Sequence, residues 1–261
     1  MKQTKKQFIL MDKTEFAKWL QPQTIKRIVK RIQNHHTWKP NYSGFTDENH
    51  FKLLEGMKRS HLKRGFSDIA QNITTFPDGT IAVCRPLTVI PAGIKGANTG
   101  GICIEHIGNF DVGGDKMTKE HKDTILYLNA LLCDKFELGP DVNSIVYHHW
   151  WTAAGKRTNG INAAKSCPGT NFFNGNSVED AEKIFIPEII KELKKLQIGP
   201  EENNLPIRYA KNGKIPYGKE LQEFLNQFPD VSLKQDGWPG KKTSDAFKKV
   251  MGYYLEGDPR I

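Results

Sequence analysis

The 261-residue chain is poor in cysteine. Cys84, Cys103, Cys133 and Cys167 are its four, and no two form a C-x-x-C pair. A disulfide framework is therefore excluded, and reduced thiols in a chain made in the cytoplasm are expected. Long apolar runs are also missing. No stretch reaches the roughly 18 residues that a membrane-spanning helix needs. Phe8-Ile9-Leu10-Met11 is the longest apolar stretch near the N-terminus, too short for the apolar region of a secretory signal. There is no low-complexity tract and no internal repeat. With 38% hydrophobic and 26% charged residues, the chain is neither collagen-like, disordered nor coiled-coil. It has the size and composition to bury a real core.

The net charge of +9 is unevenly placed. Residues 1–31 hold nine Lys or Arg against Asp12 and Glu15, a balance of +7, which leaves +2 for the rest. Such a segment attracts polyanions, whether nucleic acid, anionic membrane or an acidic cell wall, or it is simply a solvated face. No RNA-binding or zinc-finger signature accompanies it, so nucleic acid is not expected as a partner.

The elements alternate. Asp12-Lys13-Thr14-Glu15 reads as a capping box before Phe16, Trp19 and Leu20. Ile25 to Gln33 alternates as a strand would and delivers Asn34-His35-His36-Thr37-Trp38. Thr46 is the expected N-cap of a helix carrying Phe51, Leu54 and Met57. Residues 68–75 and 80–84 read as strands joined by the turn Phe76-Pro77-Asp78-Gly79. Ile102 to Ile107 is an apolar strand, 118–136 a helix, and 144–147 a short strand ending at His148-His149. A capped helix follows from Ser177 to about Leu196. The interleaving predicts an α/β domain, with a mixed central β-sheet flanked by helices, over 1–197. A polar, Gly/Pro-containing linker is expected at 198–206. Residues 207–261 are expected to form a small all-α, three-helix module, near the size where independent stability is marginal.

Three segments carry metal-type ligands: His35-His36, His148-His149 and Lys165-Ser166-Cys167-Pro168-Gly169. Two His and one Cys can hold zinc and leave a fourth position open, the arrangement of a catalytic site. Successive strand residues face opposite sides, so one His of each pair can point at a metal, and a shift of register by one swaps them.

These segments also carry a resemblance. Asn34-His35-His36-Thr37-Trp38, residues 65–72, Pro77-Asp78-Gly79-Thr80, residues 98–105, Gly108-Asn109-Phe110 and Lys165-Ser166-Cys167-Pro168-Gly169 occur in the order of the type-2, zinc-dependent N-acetylmuramoyl-L-alanine amidases. That family includes the animal peptidoglycan recognition proteins. The resemblance covers roughly residues 25–195 and is notable toward clostridial and phage amidases. It implies zinc (Zn2+) held by His35, His148 and Cys167, with His36 and His149 the adjacent non-ligands. It implies Glu105 as general base and then acid for the departing amine, and Lys165 as support for the oxyanion. His36, Trp38 and Trp150 are expected at the substrate. Gln71 stands where phage members often carry a catalytic tyrosine, which moves weight onto Glu105. Residues 235–247 resemble the loop-helix motif of the three-helix peptidoglycan-binding domain, with helices expected at 221–225 and 246–254.

The implied activity is hydrolysis of the amide between N-acetylmuramic acid and L-alanine in bacterial peptidoglycan. The expected partner is thus the peptidoglycan stem peptide and glycan. The absence of a signal sequence suggests an endolysin that accumulates in the cytoplasm and reaches the wall through a holin-type route, or an autolysin released non-classically. Two rivals differ in class: a non-catalytic peptidoglycan-recognition protein, which would generally lack the zinc cysteine, and a zinc peptidase cutting within the stem peptide.

Overall fold

The computed structural model describes residues 2–198 and 207–261. The chain divides into two compact units, 1–197 and 198–261. The linker expected at 198–206 lies, from residue 199 on, outside the described residues.

The first unit is built on a seven-stranded mixed sheet. Its strands are β1 (Gln3–Lys5), β2 (Phe8–Met11), β3 (Arg31–His36), β4 (Ile73–Thr75), β5 (Ile81–Val83), β6 (Gly101–His106) and β7 (Ile145–Tyr147), in the order β1-β2-β5-β4-β6-β3-β7. The first four in that order pair antiparallel with one another. β4, β6, β3 and β7 are mutually parallel. The carboxyl ends of parallel strands open onto a common edge, where α/β folds place their ligands. His35, Glu105 and His148 all lie at that edge.

Both faces of the sheet are covered. α1 (Lys13–Leu20), α3 (Lys119–Lys135) and the C-terminal helix of this unit pack on one face, around Ile32, Ile73, Ile104, Leu128 and Phe185. α2 (His50–Lys63) covers the other, with Leu54 and Met57 against Phe8, Leu10 and Phe76. β2 shows the period of two in four residues. Phe8 and Leu10 enter the α2 layer, whereas Ile9 and Met11 enter the other. The last helix starts at α4 (Val178–Asp180), widens into a π turn over Ala181–Phe185 and continues as α5 (Ile186–Ile198). Ser177 caps it reciprocally with Asp180.

Two local expectations are corrected, and one hairpin is added to them. The β1–β2 hairpin was not foreseen. Its turn is made by Lys6, at φ 55°, with Gln7, which carry none of the usual Asn-Gly signal. β3 starts at Arg31 rather than Ile25. The alternation upstream has no sheet behind it, because Ile28 is 73% exposed and Arg27 instead donates to the Leu87 and Gly101 carbonyls. α2 is capped at Asn49, not Thr46; the Asn49 side chain accepts from the Thr46 N–H and so turns the chain into the helix.

A buried polar row crosses the α3 side of the sheet. The Asn34 Oδ1 accepts from Asn129 Nδ2, which leaves His106 Nε2 to donate to it, at 3.0 Å. His106 Nδ1 then accepts from the Thr75 hydroxyl, which in turn accepts from His121 Nε2, both at 2.7 Å. His121 Nδ1 accepts from the Tyr42 hydroxyl at 2.8 Å. Each proton has one consistent place, so both imidazoles are neutral. Burial drives the His121 pKa down to about 3 and His106 well below its ordinary value.

In the second unit the described residues hold two helices, α6 (Gly218–Leu225) and α7 (Lys241–Met251), two of the three expected. Leu221, Leu225 and Leu255 form its small core. The buried Gln222 organises the loop before α7: it donates to Asp236 and the Trp238 carbonyl and accepts from the Gly237 N–H. α7 starts five residues before the expected Ala246 and stops at Gly252, whose φ of 89° suits a glycine at the helix end.

Candidate metal centre

Three ligand-type side chains converge at the carboxyl edge of the parallel strands. β3 presents His35, the short helical turn His148–Trp150 after β7 presents His148, and the loop after it presents Cys167. Their ligand atoms all lie within 4.8 Å of one another. The two Nδ1 atoms of His35 and His148 face each other at 3.2 Å. Two nitrogens each about 2.0–2.1 Å from a tetrahedral zinc would be about 3.4 Å apart, so the spacing fits. Burial holds the His35 pKa well below its ordinary value, and burial with the nearby Lys165 charge lowers His148 to about 4. Both rings are therefore neutral, the form that binds metal. Burial pushes the Cys167 thiol well up, so taking a cation there releases its proton. The donor set, one soft sulfur and two imidazoles in a buried cluster, suits zinc.

The second members of the His pairs point elsewhere. His36 Nδ1 accepts from the Phe110 N–H at 3.1 Å, and its backbone N–H points at Cys167 Sγ, 3.4 Å away. His149 Nδ1 is tied to the Lys165 carbonyl at 2.7 Å. Strand alternation separates the first pair, but the second is sorted by a helical turn, since β7 ends at Tyr147.

Glu105 is paired in register with His35 across β3 and β6, so both side chains leave the sheet on one face. Its Oε1 lies 3.9 Å from His35 Nδ1, outside hydrogen-bond range. Burial raises its pKa to about 8, against the pull of Lys165. A carboxyl so placed can take and return a proton near neutral pH. It borders a groove of about 990 Å³ that also contains the three candidate ligands, and Lys165 lines the same groove.

A family model described as N-acetylmuramoyl-L-alanine amidase matches residues 25–170, more than half of the chain. The chain belongs to this amidase family. Among solved structures, the amidase family chain is similar to "N-acetylmuramoyl-L-alanine amidase LysC from Clostridium intestinale URNW", at 21% identity and a TM-score of 0.44, covering 63% of this chain and 90% of that one. It is also similar to wild-type Drosophila PGRP-LB, at 22% identity and a TM-score of 0.45, over 56% and 78% of the two chains. Drosophila PGRP-SA aligns at 18% identity and a TM-score of 0.47, over 60% and 79%. No curated protein matches.

The other expected site residues of this amidase-family chain divide. Trp38 stands on the groove rim, 54% exposed, with Lys39 Nζ 5.3 Å above its ring. Its φ of 57° is costly for a bulky residue. It is held there by a bond from its N–H to the Gly108 carbonyl. His36 reaches the groove wall. Trp150 is a correction: it is fully buried, donates its indole N–H to the Asn176 carbonyl and packs on Tyr147, so it belongs to the core. Gln71 is buried too, bonded to Thr74, and lines no part of the groove.

Several residues escaped the sequence reading. Asp111 sews the Cys167 loop in place: its carboxylate accepts from the Thr170 N–H at 3.0 Å and the Ser166 hydroxyl at 3.2 Å. The signal was its position directly after Gly108-Asn109-Phe110. Cys103 lies within 4.8 Å of His35 and Glu105. Gly93 lets these groups gather, because a Cβ there would come within 2.5 Å of Gln33 Oε1, 2.6 Å of Cys103 Sγ and 3.1 Å of His35 Nε2. No local pattern marks Gly93 or Gln33.

Proposed function

We propose that the chain is a zinc-dependent hydrolase that cleaves the amide between N-acetylmuramic acid and the L-alanine of the peptidoglycan stem peptide. The observation that carries this reading is the cluster of His35, His148 and Cys167 beside Glu105, in a groove of an amidase-family chain.

His35, His148 and Cys167 would hold the ion. Bound zinc supplies an acidified water and a polarised carbonyl. Glu105 takes the proton of the attacking water and returns it to the departing amine. Its raised pKa suits the return of that proton, and the pull of Lys165 favours the ionised form that takes it. Lys165 faces the same groove and supports the negative charge that develops on the carbonyl oxygen. Trp38 offers an exposed ring and His36 a wall to the bound muramoyl peptide. In this reading residues 1–197 are the catalytic domain and 207–261 a wall-binding domain. The exposed Phe224, Phe228 and Trp238 support the second assignment.

The test is digestion of purified peptidoglycan with and without a chelator, read by mass spectrometry. Free stem peptides beginning with L-alanine, lost on chelation and restored by zinc, are the expected products. Binding to the wall without released peptide would refute catalysis. Cleavage inside the stem would refute the bond named.

A further inference from the structure

The fold divides the charge of residues 1–31, nine Lys or Arg against two acids. Lys13 and Lys18 leave on α1, which packs on the opposite face of the sheet from α2. Lys5 and Lys6 stand at the β1–β2 turn, and β2 lies under α2. Both reach Glu55 of α2, Lys5 at 3.5 Å and Lys6 at 3.1 Å. Gln7 of the same turn donates to Asp68 at 3.1 Å, and Lys58 pairs with that carboxylate at 2.9 Å. Two acids beside the hairpin thus face three lysines.

α2 adds a row of its own. Lys52, Arg59 and Lys63 follow one another at seven and four residues, close to two turns and one turn of a helix, so they form one stripe. The stripe is about 16 Å long at 1.5 Å per residue. All three side chains are exposed, and none forms an ion pair among the described residues. None of them lines the groove. At about 100° per residue, Glu55 and Lys58 lie to one side of the stripe, toward the hairpin, and the groove residues Ser60 and Arg64 lie to the other. The stripe therefore runs between the hairpin lysines and the groove. Asp47 and Glu48 stand before the helix and line a separate pocket with Gln3 and His50.

We propose that Lys52, Arg59 and Lys63, flanked by Lys5 and Lys6, form a docking surface for a linear phosphodiester polymer of the bacterial wall, a teichoic acid, which lies along α2 beside the groove. That the polymer belongs to the wall rests on the function proposed above. A row of cations with no acid in it complements a chain that carries one negative charge per repeat, and each contact releases a counterion from that chain. Arg59 offers a phosphate a fork of two donors, and the lysines offer it point charges. The face does not suit a membrane. The apolar side of α2, with Leu54 and Met57, is spent on the sheet, and Leu62 is the one exposed large apolar side chain among the described residues of the hairpin and α2. Nor does it suit single-stranded nucleic acid, because it presents no exposed aromatic ring on which bases could stack. A polymer held here keeps the groove close to the glycan without touching the ligand residues.

The experiment titrates the full chain into labelled poly(glycerol phosphate) and reads binding by fluorescence anisotropy, from about 50 to 200 mM salt. Native binding is expected to weaken as salt rises. Lys52→Gln, Arg59→Gln and Lys63→Gln together should weaken it about tenfold or more at low salt. They should also make the slope of log K against log salt shallower by about 2, three contacts at about 0.7 each. Gln forms helix nearly as well as Lys or Arg, and thermal unfolding checks that the fold is kept. Lys18→Gln, Lys26→Gln and Lys30→Gln remove the same charge from exposed positions on α1 and before β3. That control should bind within about threefold of the native chain, since charges beyond a Debye length are screened. No binding of the polymer, native binding by the α2 variant, or an equal loss in the control would overturn the surface. Tighter binding of anionic vesicles, or of an oligonucleotide with the same number of phosphates, would overturn the partner named. None of these readings involves hydrolysis, whereas the amidase reading is scored by released stem peptides, so each can fail without the other.

Discussion

At the scale of single residues, the site turns on which member of each doublet faces the cluster. His148 Nδ1 meets His35 Nδ1, whereas His149 is bonded to the Lys165 backbone. Removing one of three ligands leaves too few to hold zinc against dialysis. His148→Ala should therefore lose its metal, and His149→Ala should keep about one ion per chain; metal analysis after dialysis checks both, and equal retention would contradict the assignment. Glu105 supports a second prediction. Its carboxylate stands beside the cluster without bonding to His35, so Glu105→Gln should leave zinc content unchanged and lower the hydrolysis rate by about 10²–10⁴-fold. A rate within a few-fold of the native chain would move the proton chemistry elsewhere. The ligand doublets and the Cys-Pro loop were legible because each is a short motif. Trp150 was misread because one aromatic in a three-residue helical turn carries no periodicity to say which way it faces. Gly93 and Cys103 lie in separate segments that tertiary folding alone brings to His35.

At the scale of elements, most of the sheet could be read in advance. β6, β7 and the β4–β5 pair are apolar runs bounded by turn residues, and the capping box at Asp12 and the cap at Ser177 form where the sequence places them. The β1–β2 hairpin could not be read, because a Lys-Gln turn has no turn chemistry of its own and β2 takes its register from β5. Nor could the polar row that ties the sheet to α3, since its members are spread from Asn34 to Asn129. That row makes stability depend on pH. His121 has an ordinary value of 6.5 and is lowered to about 3 by burial, so the unfolded chain binds the proton more readily. The sign follows: its contribution is fully present above about pH 6.5 and is lost as pH falls toward about 3. The loss should be on the order of a few kcal/mol across that range. Urea titrations of the first unit at pH 7 and pH 4.5 check it. Thr75→Val, which removes the hydroxyl between His106 and His121, should cost about 1–3 kcal/mol at pH 7 through two buried ring nitrogens left unpaired. A Thr75→Val protein as stable as the native one would show that the row is not a coupled unit.

At the scale of the whole molecule, the two units differ in how well each can stand alone. The first has a core on both faces of a seven-stranded sheet, and a chain of its length buries roughly 70% of its unfolded surface. The second has three fully buried leucines in its core and lies near the lower limit for independent folding. The groove, the three candidate ligand residues and Glu105 all belong to the first. A chain ending after Gln197 should therefore fold, bind zinc and hydrolyse a soluble muramoyl peptide at close to the native rate. Its behaviour on insoluble peptidoglycan should differ. A tethered wall-binding unit raises the effective concentration of substrate without touching the groove, and removing it should slow release from intact walls by about tenfold or more. The paired measurement is soluble-peptide turnover against release of stem peptides from walls. Equal slowing on both substrates would mean that the second unit supports the fold of the first. No slowing on either would mean that it binds nothing in the wall. A deficit confined to the insoluble substrate is the outcome that a tether requires, because only there does the position of the enzyme limit the rate.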